Sequence, residues 1–92
     1  MTHTVVVALP AATVLARAKA YFAERLPHNA AFVEKEGPAF VALRGQGGEE
    51  LVMHAADAAD GTSKVRASTL FFDQALDRFF STLPLAGAVE VA

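Results

Sequence analysis

Glu34 and His54 are the two residues of this sequence whose types and placement could support chemistry. They fall in the second and fourth predicted strands, and pairing counted outward from turns at residues 37–38, 47–48 and 60–61 places both on one sheet face. A carboxylate beside an imidazole can act as a general acid/base pair or orient a bound ligand. The same two residues also fit a structural role at the sheet margin, so both interpretations stay open.

The other patterns of catalysis or metal binding are missing from the sequence. The chain has no cysteine, which excludes disulfides, thiolate metal sites and a cysteine nucleophile. Its histidines, His3, His28 and His54, lie in separate segments without metal-ligand spacing. The glycine-rich residues 45–48 join two predicted strands and precede no helix, which indicates a hairpin rather than a phosphate-binding loop. We therefore expect no metal and no cofactor, and rank an enzyme behind a binding module and an assembly domain.

Length and charge narrow the classes of protein and partner. Ninety-two residues predict a single domain over residues 1–92. The formal net charge is −2 with both signs interspersed, so no basic face for nucleic acid is expected. No stretch approaches the ~20 apolar residues of a membrane span. The apolar run at residues 5–16 lacks a preceding Lys or Arg and is interrupted by Pro10, which argues against a secretion leader. The lack of cysteine fits the cytoplasm.

Seven elements in the order β-α-β-β-β-β-α are predicted to position these residues. The strands are predicted at residues 4–9, 30–36, 39–44, 50–56 and 64–69, and the helices at residues 11–26 and 72–83. Pro27 and Pro84 follow the two helical stripes and end them. The expected fold is α+β, an antiparallel sheet with both helices packed on one face. Residues 85–92 carry no periodicity and are expected to fray or to add an edge strand.

Two-residue turns assign each strand residue to one face of the sheet. The more apolar face, expected under the helices, would carry Phe32, Glu34, Val41, Leu43, Val52, His54, Ala56, Val65, Ala67 and Thr69. The opposite face, expected to meet solvent or a partner, would carry Val33, Lys35, Phe40, Ala42, Arg44, Leu51, Met53, Asp57, Lys64, Arg66 and Ser68. A one-residue slip at a turn would transfer every residue beyond it to the other face.

Three stretches resemble the SRPBCC superfamily, the START/Bet v 1-like helix-grip proteins. Residues 4–14 (TVVVALPAATV) resemble the opening strand, proline-containing bend and first helix of that family. Residues 60–66 (DGTSKVR) resemble its Asp-Gly-Thr hairpin, and residues 76–84 resemble its closing helix. The chain would be a shortened member without the longer sheet and extra small helices. The resemblance implies a helix-grip fold and a hydrophobic ligand between sheet and closing helix, and it supplies no universal catalytic residues.

The resulting first hypothesis is a binding module for a hydrophobic small molecule. Six apolar residues would line the space between sheet and closing helix: Phe32, Leu43, Val52, Phe72, Leu76 and Phe79. Glu34 and His54 would orient the ligand there. The alternative is a homodimeric assembly domain without a ligand, because Phe40, Leu51 and Met53 would form an apolar patch on the opposite face.

Overall fold

The computed structural model describes residues 1–24, 31–45, 47–86 and 90–91, in which an antiparallel sheet is covered by two helices. The elements are β1 (Thr2–Val7), α1 (Ala11–Glu24), β2 (Ala31–Gly37), β3 (Phe40–Gly45), β4 (Glu50–Asp57), β5 (Ser63–Thr69), α2 (Asp73–Ser81) and β6 (Glu90–Val91). The strand order is β2-β3-β4-β5-β1-β6. The α+β class and the placement of both helices on one face are confirmed.

The first strand lies between β5 and β6 and pairs with β5 from Thr2 opposite Ser68 to Val7 opposite Ser63. Because side chains alternate along a strand, His3, Val5 and Val7 all point to the buried side. The same alternation buries every second residue of β3 and β5, and Leu51, Met53 and Ala55 of β4, beneath the helices. We call this side the inner face and the opposite side the outer face.

Helix α1 begins immediately after Pro10, whose carbonyl accepts the amides of Thr13 and Val14. The carboxylate of Asp57, at the end of β4, accepts the amide of Ala11 at 2.8 Å. A carboxylate at this position satisfies an otherwise unpaired amide and favours the positive end of the helix dipole. Sheet and helix are thus joined by a polar contact at the rim of the core.

Helix α2 completes the core with an aromatic cluster. Phe79 is 1 % exposed, and its ring centroid lies 5.9 Å from that of Phe22 and 5.3 Å from that of Tyr21. Phe72 also lies edge-on to Phe22, with ring centroids 6.1 Å apart. These edge and tilted arrangements are the ones that aromatic quadrupoles favour. The cluster holds α2 against both α1 and the sheet.

The predicted faces of β4 are wrong because neither of its turns has two residues. Arg44 pairs with Glu50 and Leu43 with Leu51, one residue out of the expected register. Leu51 and Met53 are therefore fully buried on the inner face, and the predicted apolar patch for a dimer does not exist. A second one-residue shift, at the short helical turn before β5, returns β5 to its expected faces. Val52, His54 and Ala56 consequently lie on the outer face.

The predicted faces of residues 32–34 are also wrong, because β2 contains a bulge. On β3, Ala42 and Leu43 are adjacent. Their partners on β2 are Lys35 and Val33, which are separated by one extra residue. That residue is Glu34, and its insertion moves the rest of the strand to the opposite side. Phe32 therefore shares the outer face with Arg44.

Candidate functional site

The predicted pocket between sheet and closing helix is occupied by the protein's own side chains. Leu43, Phe72, Leu76 and Phe79 all belong to the hydrophobic core, and none is more than 5 % exposed. They pack against the residues of α1 and β4 that the register brings to the inner face. These four predicted wall residues thus lie together, as expected, but they stabilise the fold from within the core.

The other four predicted site residues lie on the outer face and include both ionisable candidates. Glu34 accepts hydrogen bonds from the guanidinium of Arg44, which also reaches Glu50 at 3.1 Å. The hydrogen bond from Arg44 holds the pKa of Glu34 below its ordinary value. His54 instead lies against Phe40, with ring centroids 5.8 Å apart. Glu34 and His54 therefore have separate partners and form no acid/base pair.

Of the two histidines that the structure describes, His3 and His54, it is His3 that is buried. It is 2 % exposed, and its Nε2 lies 2.8 Å from Oδ1 of Asp73. Its Nδ1 faces Oδ1 of Asp77 at 3.4 Å, although this second contact does not meet hydrogen-bond geometry. Asp73 and Asp77 are one turn apart on α2, so His3 connects β1 to the closing helix. Among the described residues, no cluster of three or more His, Asp or Glu side chains could hold a metal ion.

The sequence contains a signal for this contact that the prediction missed. His3, Val5 and Val7 alternate as one face of a strand, and Asp73 and Asp77 have helical spacing. The predicted strand began at residue 4, which left His3 outside it. The pairing of β1 with β5, a contact between distant parts of the chain, brings His3 beneath α2.

The contact between His3 and Asp73 should make stability depend on acid pH. The hydrogen bond with His3 holds the pKa of Asp73 below its ordinary value of 3.8, and the nearby N-terminal ammonium acts in the same direction. A carboxyl whose pKa is depressed by folding stabilises the protein above its unfolded pKa and loses that contribution as the pH falls through the folded pKa.

Asp73→Asn should therefore lower the free energy of unfolding at neutral pH by about 1 kcal/mol and weaken its fall below about pH 4. Urea denaturation from pH 7 down to about pH 2 measures both effects. Asp77→Asn is the matched control, because Asp77 is 61 % exposed and should change the acid limb less. An unchanged acid limb in Asp73→Asn would contradict the assignment.

The outer face contains an open groove of about 480 Å³ beside the start of α2. Its floor includes Val52, Ser68 and Thr2, which the register places side by side on β4, β5 and β1. Its wall is formed by Leu70 and Phe71, which are 79 % and 72 % exposed. We call this depression the outer groove. Two consecutive large apolar side chains thus project into solvent beside a recess.

The wall of the outer groove is held by the side chain of Thr69. Its hydroxyl donates to the carbonyl of Glu50 at 3.0 Å and accepts the amides of Phe71 and Phe72 at 3.3 and 3.1 Å. The Thr69 amide in turn donates to the carbonyl of Met1 at 3.0 Å. Serine and threonine hydroxyls commonly satisfy the free amides before a helix in this way. Leu70 and Phe71 are therefore displayed from a hydrogen-bonded turn with a defined direction.

A second depression continues the outer groove along β4 and β5. It measures about 430 Å³ and is lined by Val52, His54, Arg66 and Ser68. Val52 and Ser68 line both depressions, so the two are contiguous across the floor. The extended recess has an apolar end at Leu70 and Phe71 and a basic end at Arg66.

No helix of the described residues combines the length and apolar character needed to cross a membrane. Comparisons of the chain with protein-family models, curated proteins and solved structures found no match.

Proposed function

We propose that this chain is a binding module for a small hydrophobic molecule, which it holds in the outer groove. The observation that carries this proposal is the exposure of Leu70 and Phe71 on a fixed turn beside a recess of about 480 Å³. Leaving two such side chains in water forgoes roughly 1.5–3 kcal/mol for each. A ligand that covers them recovers part of this free energy.

The dimensions and lining of the outer groove support a small ligand. Ligand sites commonly measure ~300–1,000 Å³ and combine apolar walls with a few polar groups. Here the apolar groups are Leu70, Phe71 and Val52, and the polar ones are the hydroxyls of Thr2 and Ser68, which lie 3.1 Å apart. The ligand would lie on the opposite side of the sheet from the space that a helix-grip resemblance implies.

Mutation of the apolar wall tests this proposal. In Leu70→Ser/Phe71→Ser, the neutral dye Nile red should bind at least about tenfold more weakly than to the wild type, because the lost contact area is worth more than about 1.4 kcal/mol. Fluorescence titration measures the affinity. Phe32→Ser is the matched control, since Phe32 is 55 % exposed on the outer face but lies on β2, away from the groove. Equal affinities for all three proteins would overturn the proposal.

A homodimer is the alternative, and the same two residues favour it. With Leu51 and Met53 buried, Leu70 and Phe71 are the most exposed large apolar side chains among the described residues. A second copy packed on this wall would cover them without any ligand. Sedimentation of the same proteins without ligand separates the two functions. A dimeric wild type that becomes monomeric in Leu70→Ser/Phe71→Ser supports assembly, and a monomeric wild type excludes it.

A further inference from the structure

The basic end of the outer groove contains cations that no described side chain neutralises. Arg66 and Lys64 project from β5 on the outer face, and neither forms an ion pair or a hydrogen bond with another described side chain. Arg44, on the same face, differs: it binds Glu34 and Glu50 and has its charge compensated. Among the described side chains the guanidinium of Arg66 has no anionic partner, which leaves it available to an anion bound in the recess.

The register places His54 and Thr4 on either side of Arg66. His54 pairs with Arg66 from β4, and Thr4 pairs with it from β1, so the three side chains form one row across the sheet. A depression of about 430 Å³ lies on one side of this row, and another, lined by Lys64 and Thr4, lies on the other. The ring of His54 and the guanidinium of Arg66 thus line the recess, and the hydroxyl of Thr4 belongs to the same row. These groups can donate hydrogen bonds to a carboxylate or phosphate.

The apolar and basic ends are close enough for one ligand. Arg66 and Ser68 are two residues apart on β5, which corresponds to roughly 7 Å along the strand. Ser68 also lines the part of the groove that Leu70 and Phe71 border. A molecule that lies along this floor would place an apolar body on Leu70 and Phe71 and a terminal group at Arg66.

The apolar end of the recess is acidic, because Glu49 and Glu50 line it, so an anionic headgroup fits the opposite end. The two carboxylates there have donors of their own: Glu50 binds Arg44 at 3.1 Å, and Glu49 accepts the amide of Gly47 at 3.2 Å. Arg66 has no such partner among the described side chains. An anionic headgroup therefore fits the recess beside Arg66 and not beside Glu49 and Glu50.

We infer that the ligand of the outer groove is an amphipathic anion, with an alkyl or aryl body against Leu70 and Phe71 and a carboxylate or phosphate bound by Arg66. This inference rests on the proposed function and adds the chemical class of the ligand. Arginine suits the role because its planar guanidinium donates two parallel hydrogen bonds to either kind of headgroup.

Three ten-carbon probes test the inference by calorimetry: decanoate, decyl phosphate and the neutral decanol. The wild type should bind at least one of the two anions about five- to tenfold more tightly than decanol, because the neutral headgroup cannot form the charged contact with Arg66. The preferred anion distinguishes a carboxylate from a phosphate headgroup. High salt should reduce the advantage of the anions, since this end of the groove is open to solvent.

Arg66→Gln should remove the preference for anions, so that decanoate and decyl phosphate bind no more tightly than decanol. Arg78→Gln is the matched control, because Arg78 is exposed on α2 and lines none of these depressions. Equal binding of anions and decanol by the wild type, or a preference that survives Arg66→Gln, would overturn the inference while the proposed function stands. Failure of all three probes and of Nile red to bind would overturn both.

Discussion

Phe79→Ala should lower the free energy of unfolding by about 3–5 kcal/mol. Phe79 is 1 % exposed, and its ring lies within 6.0 Å, centroid to centroid, of those of Phe22, Tyr21 and Phe80. Its removal takes away the apolar transfer free energy of the side chain and leaves a cavity between α2 and α1 that rigid aromatic neighbours cannot close. Urea denaturation followed by circular dichroism measures the change.

Phe71→Ala is the control for this loss, because it deletes the same atoms from a side chain that is 72 % exposed. Its effect on stability should stay within about 0.5 kcal/mol. The difference in unfolding free energy between the two variants tests whether Phe79 is buried beneath α2 while Phe71 is in solvent. A cost below about 1 kcal/mol for Phe79→Ala, the range of surface substitutions, would be incompatible with the docked helix.

The helices could be predicted from the sequence because their buried stripes depend only on local spacing. Phe72, Leu76, Phe79 and Leu83 repeat at helical intervals, and all four are buried. A helix turns by a fixed angle per residue, so an error of one residue at its end leaves the buried stripe unchanged. The same reasoning placed Phe72, Leu76 and Phe79 together on the buried side of the closing helix.

The faces of β2 and β4 could not be predicted because a strand has a period of two. The turn between β3 and β4 is one residue longer than the two-residue turn expected from the sequence. Strand β2 also contains one extra residue, at its bulge. Each single residue inverts the face of every side chain beyond it. The sequence therefore predicts the wrong face for Glu34 in β2 and for His54 in β4. The shift in β4 also explains why Met53 is missing from the predicted core.

The outer groove depends on contacts between distant parts of the chain, which composition and periodicity do not reveal. In the sequence, Leu70 and Phe71 are followed by Phe72, and all three are equally apolar. The hydroxyl of Thr69 fixes a turn that buries Phe72 and exposes the other two. The basic end of the groove likewise requires the register that sets His54 opposite Arg66.

Met53→Glu should prevent stable folding at neutral pH. On the face assignment made from the sequence, Met53 would border a dimer interface, and this substitution would only release monomers. In the structure Met53 has no exposed surface and packs in the core. A carboxylate there would have to lose its hydration without a partner, at a cost of at least roughly 3–5 kcal/mol, which is a large part of the stability of a small domain.

His54→Glu is the matched control, because it introduces the same side chain one residue later on the exposed side of β4. The new carboxylate would lie opposite Arg66 and remain hydrated, so the free energy of unfolding should change by less than about 1 kcal/mol. Circular dichroism and urea denaturation of the two variants compare the faces directly. Because side chains alternate along β4, a well-folded Met53→Glu beside an unfolded His54→Glu would require the opposite register, and the outer groove would then lose Val52 from its floor.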